Sequence, residues 1–189
     1  MKKRLIIVVA IALVCVLAAG GTIAWLTASA SVSNTFTVGK IDITLTEANW
    51  VNNSKLYPGA EIVKDPKVTV KANSEDCYVY VMIDNQLNAT LANAVSLDVQ
   101  TDWTLIYSNT TGTKNVYRYT IGTDDIVKMI ASDRVLPVFT QVKVSTTVVT
   151  EANIASLGGK TIEVKAYAHQ ANATTMAAAD AAALTHFGI

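Results

Sequence analysis

The segment "CYVYVMI", residues 77–83, constrains the fold of this chain more than any other, because every one of its residues is apolar. Side chains alternate between the two faces of a β-strand, so this strand has no polar face to present to water. Such a strand is typical of the middle of a sheet that is covered on both sides. We therefore expect residues 77–83 to lie at the centre of the hydrophobic core.

The other strand signals are short and are separated by turns. Alternation of apolar and polar residues predicts strands with one solvated face at residues 41–46, 67–71 and 162–168. "WTLIY" and "VYRYTI", residues 103–107 and 116–121, flank a turn-rich segment and predict a β-hairpin. Residues 135–144 predict a further strand, whose start Pro137 places at a sheet edge or a bulge.

Helical signals are few. Residues 124–131 predict a short helix, and the alanine-rich "TTMAAADAAALTHF", residues 174–187, predicts a longer one. Many short strands with turns between them are typical of an antiparallel sandwich. The predicted fold is therefore all-β, an antiparallel β-sandwich with short helices in loops and near the C-terminus, in one domain spanning residues 39–189.

The N-terminus has the pattern of a secretory signal. Three basic residues precede an uncharged apolar stretch that runs from residue 5 to residue 19. Small residues follow the apolar stretch and fit cleavage between Ala24 and Trp25. Residues 1–24 are therefore the predicted signal peptide. Two alternatives remain open: a cut after the Ala-Ser-Ala of residues 28–30, or an uncleaved anchor, since the apolar stretch can be extended to about the 20 residues that span a bilayer.

Export would change the charge and the cysteine content of the chain. Loss of Lys2, Lys3 and Arg4 from 15 basic residues leaves 12 against 15 acidic ones, a net charge of −3. We therefore expect no nucleic acid as a partner. Cys15 leaves with the signal, so Cys77 has no partner for an internal disulfide and is expected to be a buried thiol.

The segment "TASASVSNTFTV", residues 27–38, alternates with unusual regularity. Its odd positions are all Thr or Ser, and its even positions are apolar except for one asparagine. Counted from residue 26, the even positions are Leu26, Ala28, Ala30, Val32, Asn34, Phe36 and Val38. The pattern predicts a half-buried N-terminal strand over residues 25–38, with small residues along much of its apolar face.

The sequence carries no recognised catalytic or metal-binding motif. Residues 158–161, Gly-Gly-Lys-Thr, resemble the end of a phosphate-binding loop, but Ile154 stands where that motif requires its first glycine. His169 and His186 are too far apart in sequence to bind one metal from a single helix. We expect His169 to be a partly buried strand residue and His186 an exposed one, and we predict no catalytic residue, metal ligand or cofactor.

Four segments together resemble, in the same order, the TasA/CalY (camelysin-like) family of Gram-positive matrix proteins. They are "GGTIAWLTASASVSNTFTVGKIDITLTE", "YPGAEIVKDPKVTVKANSEDCYVYVMI", "LPVFTQVKV" and "IEVKAYAHQA". The resemblance implies a jelly-roll β-sandwich, exported with a signal that is cut by the SipW-type signal peptidase. It also implies a subunit that polymerises with copies of itself into biofilm matrix fibres, outside or at the surface of a Gram-positive-type bacterium.

In such fibres the N-terminal strand of one subunit completes a sheet of the next, which would make residues 25–38 a donor strand. The same strand could instead fold back as the first strand of its own sandwich. Two other functions stay open. Camelysin itself is classed as a metalloprotease, although the zinc motif is missing from this chain, and the protein could also be an adhesin or accessory protein that nucleates fibres of a paralogous matrix protein.

Overall fold

The computed structural model describes residues 2–4, 6–7, 9–11, 39–49, 54–122 and 125–189. Contacts divide the chain into two units, Met1–Val38 and Gly39–Ile189. The described residues of the first unit are helical. None of the described helices is long and apolar enough to cross a membrane.

The second unit holds all the strands that the structure describes. They are β1 (Ile43–Thr46), β2 (Glu61–Val63), β3 (Lys67–Val70), β4 (Cys77–Asn85), β5 (Val95–Leu97), β6 (Trp103–Ser108), β7 (Lys114–Tyr119), β8 (Arg134–Pro137), β9 (Gln141–Val144) and β10 (Ile162–Gln170). Two short α-helices cover Gln86–Thr90 and Met176–His186, and a 3-10 turn covers Ile154–Leu157. All strand pairs are antiparallel, which confirms the predicted all-β, antiparallel fold.

One layer is a four-stranded sheet with the order β10-β4-β7-β6. Strand β4 lies inside this sheet, paired with β10 along its whole length and with β7 on its other side. It contains the all-apolar residues 77–83, so their predicted central position is confirmed. The hairpin predicted from residues 103–121 is also confirmed, as β6 and β7.

The second layer is built from two three-stranded sheets, β1-β3-β8 and β2-β9-β5. They are joined at residues 64–66 and 138–140, where the N–H of Lys64 donates to the carbonyl of Thr140 (3.2 Å) and the N–H of Val138 to that of Pro66 (2.9 Å). Strands β2 and β3 therefore run as one interrupted strand beside a second one formed by β8 and β9.

The single strand predicted over residues 135–144 is thus wrong, because it is broken between β8 and β9. The carboxylate of Asp98 accepts the backbone N–H groups of Thr140 (2.9 Å) and Gln141 (3.0 Å), which replaces the strand ladder there. Burial opposes ionisation of Asp98, but these hydrogen bonds hold its pKa below the ordinary value. Pro137 ends β8 at the edge of its three-stranded sheet, as its lack of an N–H predicts.

The core has two parts, one on each face of β4. The odd-numbered residues Cys77, Val79, Val81 and Ile83 belong to the large cluster that also contains residues of the second layer. The even-numbered residues Tyr78, Tyr80 and Met82 belong to a smaller cluster with Ala179, Ala183 and Phe187 of the C-terminal segment. The predicted C-terminal helix is therefore confirmed as Met176–His186, and its alanines pack against the outer face of the four-stranded sheet.

The helix predicted over residues 124–131 is wrong for the part of it that the structure describes, residues 125–131, which has no helical residue. The N–H of Val127 donates to the carbonyl of Cys77 (2.8 Å), and the N–H of Cys77 donates to the carbonyl of Val127 (3.0 Å). The side chain of Val127 is 1 % exposed. An extended bridge to β4 buries this side chain and satisfies both backbone groups, so it replaces the helix.

Candidate assembly interface

Strand β10 forms a long free edge of the four-stranded sheet. It pairs with β4 over nine residues, from Ile162 opposite Asn85 to Gln170 opposite Cys77. No strand within the described ranges pairs with its other side. An edge of this length exposes a row of backbone donors and acceptors to which another strand can pair.

The hydrogen bonds at the two ends of β10 show which residues face the free side. The N–H of Gln86 donates to the carbonyl of Thr161 (3.0 Å), and the N–H of Ala171 donates to the carbonyl of Asp76 (2.8 Å). In an antiparallel pair such bonded residues recur every second position. The odd-numbered residues of β10 therefore bond to β4, and the even-numbered residues direct their N–H and C=O groups to the free edge.

The side chains of those even-numbered residues pack against the core but are only half-buried. They are Ile162, Val164, Ala166 and Ala168. Their neighbours on β4, such as Val79 and Val81, are fully buried. The apolar row of β10 is therefore a part of the core that the described residues leave partly open to solvent.

Strand β1 presents a second free edge close to the first. Among the described strands it pairs only with β3, and it contacts β10 in the other layer. The N–H of Lys71 donates to the carbonyl of Asp42 (2.9 Å), so by the same alternation Ile43 and Leu45 direct their backbone groups away from β3. We call the half-buried apolar surface between these edges the edge groove; it comprises Ile41, Ile43, Leu45, Ile162, Val164, Ala166 and Ala168.

The opposite edge of the four-stranded sheet, β6, is less suited to strand addition. It is six residues long, and its register shifts between Leu105 and Tyr107, which marks a bulge or irregularity. Bulges twist an edge away from further pairing. The longer β10, whose register to β4 is unbroken, is therefore the better acceptor.

The charges next to the edge groove are paired with each other. Glu163 and Lys165, on the outward face of β10, form an exposed ion pair of 3.2 Å, and Lys40 and Asp42 form another of 3.0 Å before β1. Exposed pairs of this kind contribute little to stability. They leave the edge groove apolar and without net charge, which suits an uncharged apolar strand.

The chain enters β1 through a tight contact at Gly39. A Cβ atom at this position would lie 2.6 Å from the Cγ of Glu75. The N–H of Glu75 also donates to the carbonyl of Lys40 (3.0 Å), which fixes the backbone next to Gly39. The predicted cleavage residues Ala24 and Trp25 and the predicted donor residues, Leu26 to Val38, lie outside the described residues.

The buried thiol predicted at Cys77 is confirmed. Its side chain is fully buried in β4, and burial raises the pKa of this thiol to about 11, with a smaller contribution from Asp76. A thiol in this state is protonated at neutral pH and has little nucleophilic character. Cys77 is therefore a core residue.

The first 86 residues match the family model described as camelysin metallo-endopeptidase, which ends just after β4. This match confirms the resemblance to the camelysin-like family that the sequence predicts. The N-terminal part of this chain is therefore similar to the camelysin family, which includes TasA and CalY. Similarity to this family points to an extracellular or cell-surface protein. No curated protein and no solved structure matches the chain.

The family description implies a metal, and the described residues do not fit one. Catalytic zinc sites use three protein ligands. His169 places Nδ1 2.9 Å from Tyr167 Oη, and His186 stacks on the ring of Tyr167 with centroids 4.3 Å apart. Both histidines thus contact one tyrosine, and the described part of the chain holds no group of three or more His, Cys, Asp or Glu side chains placed to bind a metal ion. His169 is half-buried and His186 exposed, as expected.

Proposed function

We propose that this camelysin-like protein is a secreted structural subunit that polymerises into extracellular biofilm matrix fibres. In this proposal residues 25–38 of one subunit add as a strand to the edge groove of the next subunit. The SipW-type signal peptidase frees the strand by cutting between Ala24 and Trp25. The observation that carries the proposal is the free edge of β10, whose outward backbone groups and half-buried apolar side chains belong to the same residues.

The two surfaces are complementary in chemistry. The edge groove offers an apolar floor and a row of N–H and C=O groups that no described strand pairs. The predicted strand offers one apolar face and one face of Thr and Ser, and it carries no charge. Its apolar face would cover the groove, while the Thr and Ser face would lie beside the exposed pair of Glu163 and Lys165.

Order-of-magnitude free energies support a full-length strand. Burial of Leu26, Val32, Phe36 and Val38, at about 1.5–3 kcal/mol each, contributes roughly 6–12 kcal/mol. Each ladder hydrogen bond adds about 0.5–1.5 kcal/mol. Association costs about 4–15 kcal/mol. The free energy contributed by a full-length strand exceeds most of this range, whereas that contributed by half a strand does not.

The test removes residues 25–34 from the mature protein, which takes away two of those four large side chains. We expect a folded monomer that forms no fibres in electron microscopy, while the unmodified mature protein forms them. A matched control changes Ser29 and Ser31 to Thr, which alters only the polar face and should leave assembly intact. Fibres from the truncated protein would show that the donor-strand mechanism is wrong.

A second candidate function rests on the family description alone. If the protein is a metallo-endopeptidase, purified protein should hydrolyse casein, and both chelation and His169→Ala should abolish the activity. Hydrolysis that is unchanged in the double variant His169→Ala/His186→Ala would remove this candidate.

A further inference from the structure

We propose that a cavity at one end of the sandwich binds a free medium-chain fatty acid, with its tail inside and its carboxylate at Lys160. The cavity has a volume of about 720 Å³. Pockets for small molecules commonly measure about 300–1,000 Å³. The edge groove and the proposed fibre play no part in this inference, except that Ile162 borders both surfaces.

The cavity lies between the two layers of the sandwich. The second layer contributes Ile62 of β2 and Val142 of β9, and the four-stranded sheet contributes Ile162 of β10. The short helix Gln86–Thr90 and the 3-10 turn Ile154–Leu157 line it as well, through Leu87, Ile154 and Leu157. Elements from both layers and from the connections between them therefore build its wall.

The lining favours a saturated hydrocarbon chain. The large apolar side chains of its described lining are all aliphatic, namely Leu56, Ile62, Leu87, Val142, Ile154, Leu157 and Ile162. Sites for sugars and nucleobases generally offer aromatic rings for stacking, and the described part of this lining includes none. Several of these aliphatic residues, including Leu56, Ile62 and Ile154, are only half-buried, so an alkyl chain would remove further apolar surface from water.

The charge on the inner wall is neutralised. Lys64 is 6 % exposed, and its Nζ lies 2.7 and 2.8 Å from the two carboxylate oxygens of Glu47. This pair therefore presents no net charge to the tail of a ligand. A carboxylate that entered deeply would meet a lysine already satisfied by Glu47.

The rim carries the cationic group. Lys160 is exposed in the Gly-Gly-Lys-Thr turn of residues 158–161, and it has no ion-pair partner in the part of the chain that the structure describes. Thr161 and Ser54 also line the cavity, with hydroxyl groups. A ligand with an aliphatic tail and one terminal anion matches this arrangement, which gives the phosphate-loop-like motif a different use.

The experiment measures binding to the mature secreted protein by isothermal titration calorimetry. Octanoate, decanoate and laurate, each below its micellar concentration, should bind with an affinity that rises about fourfold for each added methylene. Laurate should bind the Lys160→Ala variant about two- to fivefold more weakly, whereas 1-dodecanol should bind both proteins equally. Lys128→Ala, which removes an exposed lysine paired with Asp76, is the matched control and should change neither affinity.

A second variant, Ile154→Trp, fills the cavity from a half-buried position and should abolish binding of both ligands. Its near-ultraviolet circular dichroism must match that of the unmodified protein for the comparison to count, and Ile62→Trp replaces it if the fold is lost. Absence of saturable laurate binding, an affinity that ignores chain length, or binding unchanged in a folded cavity-filling variant would overturn the proposal. So would binding only to phosphatidylglycerol vesicles, because the ligand would then be a membrane and not a free fatty acid.

Discussion

The substitution Ala166→Pro should weaken fibre growth and leave the subunit folded. Ala166 is an even-numbered residue of β10, so its N–H points to the free edge and not to β4. Proline lacks that N–H, and its fixed φ is compatible with an edge strand. The variant Ala166→Pro therefore removes a donor from the proposed interface and none from the subunit's own ladder.

The expected size of the effect follows from one lost hydrogen bond. The incoming strand would bury a carbonyl with no donor opposite it, at a cost of about 1–3 kcal/mol. Since about 1.4 kcal/mol is tenfold in an equilibrium constant, the critical concentration for fibre formation should rise by about 5- to 150-fold. Sedimentation of fibres over a series of protein concentrations measures this value directly.

The control places proline on the opposite edge of the same sheet. The N–H of Thr120 donates to the carbonyl of Asp102 (2.7 Å), so by the same alternation Leu105 directs its N–H away from β7. Leu105 is 52 % exposed, and Leu105→Pro should leave the critical concentration unchanged. Equal effects of the two prolines, or normal assembly of a folded Ala166→Pro variant, would refute β10 as the acceptor.

Three further predictions concern the subunit alone. Burial raises the pKa of Cys77 from 9.0 to about 11. The stability that the protonated thiol confers below pH 9 is therefore lost as the pH rises to 11. Burial also raises the pKa values of Tyr80, Tyr117 and Tyr119, so other groups lose stability in this range too. Urea unfolding at pH 8 and 11 should therefore show a loss that is about 2–3 kcal/mol smaller in Cys77→Ala than in the unmodified protein; an equal loss would contradict this assignment. The carboxylate of Asp180 accepts hydrogen bonds from Tyr80 Oη (2.9 Å) and Arg118 Nη1 (2.6 Å). Asp180→Ala should therefore lower the free energy of unfolding by about 1.5–3 kcal/mol. No change would mean that these bonds do not stabilise the docking of the C-terminal helix. Ala173 has a φ of 60°, and Ala173→Gly should raise the free energy of unfolding by about 1 kcal/mol in the same assay, unless its backbone relaxes without strain.

The elements predicted correctly are those that short-range pattern determines. Residues 77–83 have no polar face, so they had to lie inside a covered sheet, and β4 does. The hairpin of β6 and β7 needs only two apolar strands and the turn between them. The C-terminal helix follows from alanine propensity, and Thr175 caps it by accepting the N–H of Ala178 (3.3 Å).

The two errors in the fold arise from partners that are distant in sequence. The segment around Val127 is extended because Cys77, fifty residues earlier, bonds both of its backbone groups. The break before β9 depends on the carboxylate of Asp98, which binds Thr140 and Gln141 from another loop. Neither partner is visible in the local pattern, since periodicity records which side of a strand faces the core and not what satisfies its backbone.

The candidate interface was hidden for a related reason. Alternation in β10 predicts an apolar face correctly, but an edge strand and an inner strand produce the same alternation. The signal that distinguishes them is side-chain size. In register with β4, Ala168 lies opposite Val79 and Ala166 opposite Val81, so small residues on β10 face large ones on its neighbour. Small side chains at a half-buried position leave room above the core, and a strand that adds at this edge would supply the missing apolar volume. This asymmetry, more than the alternation itself, favours β10 as a surface completed by another segment of chain.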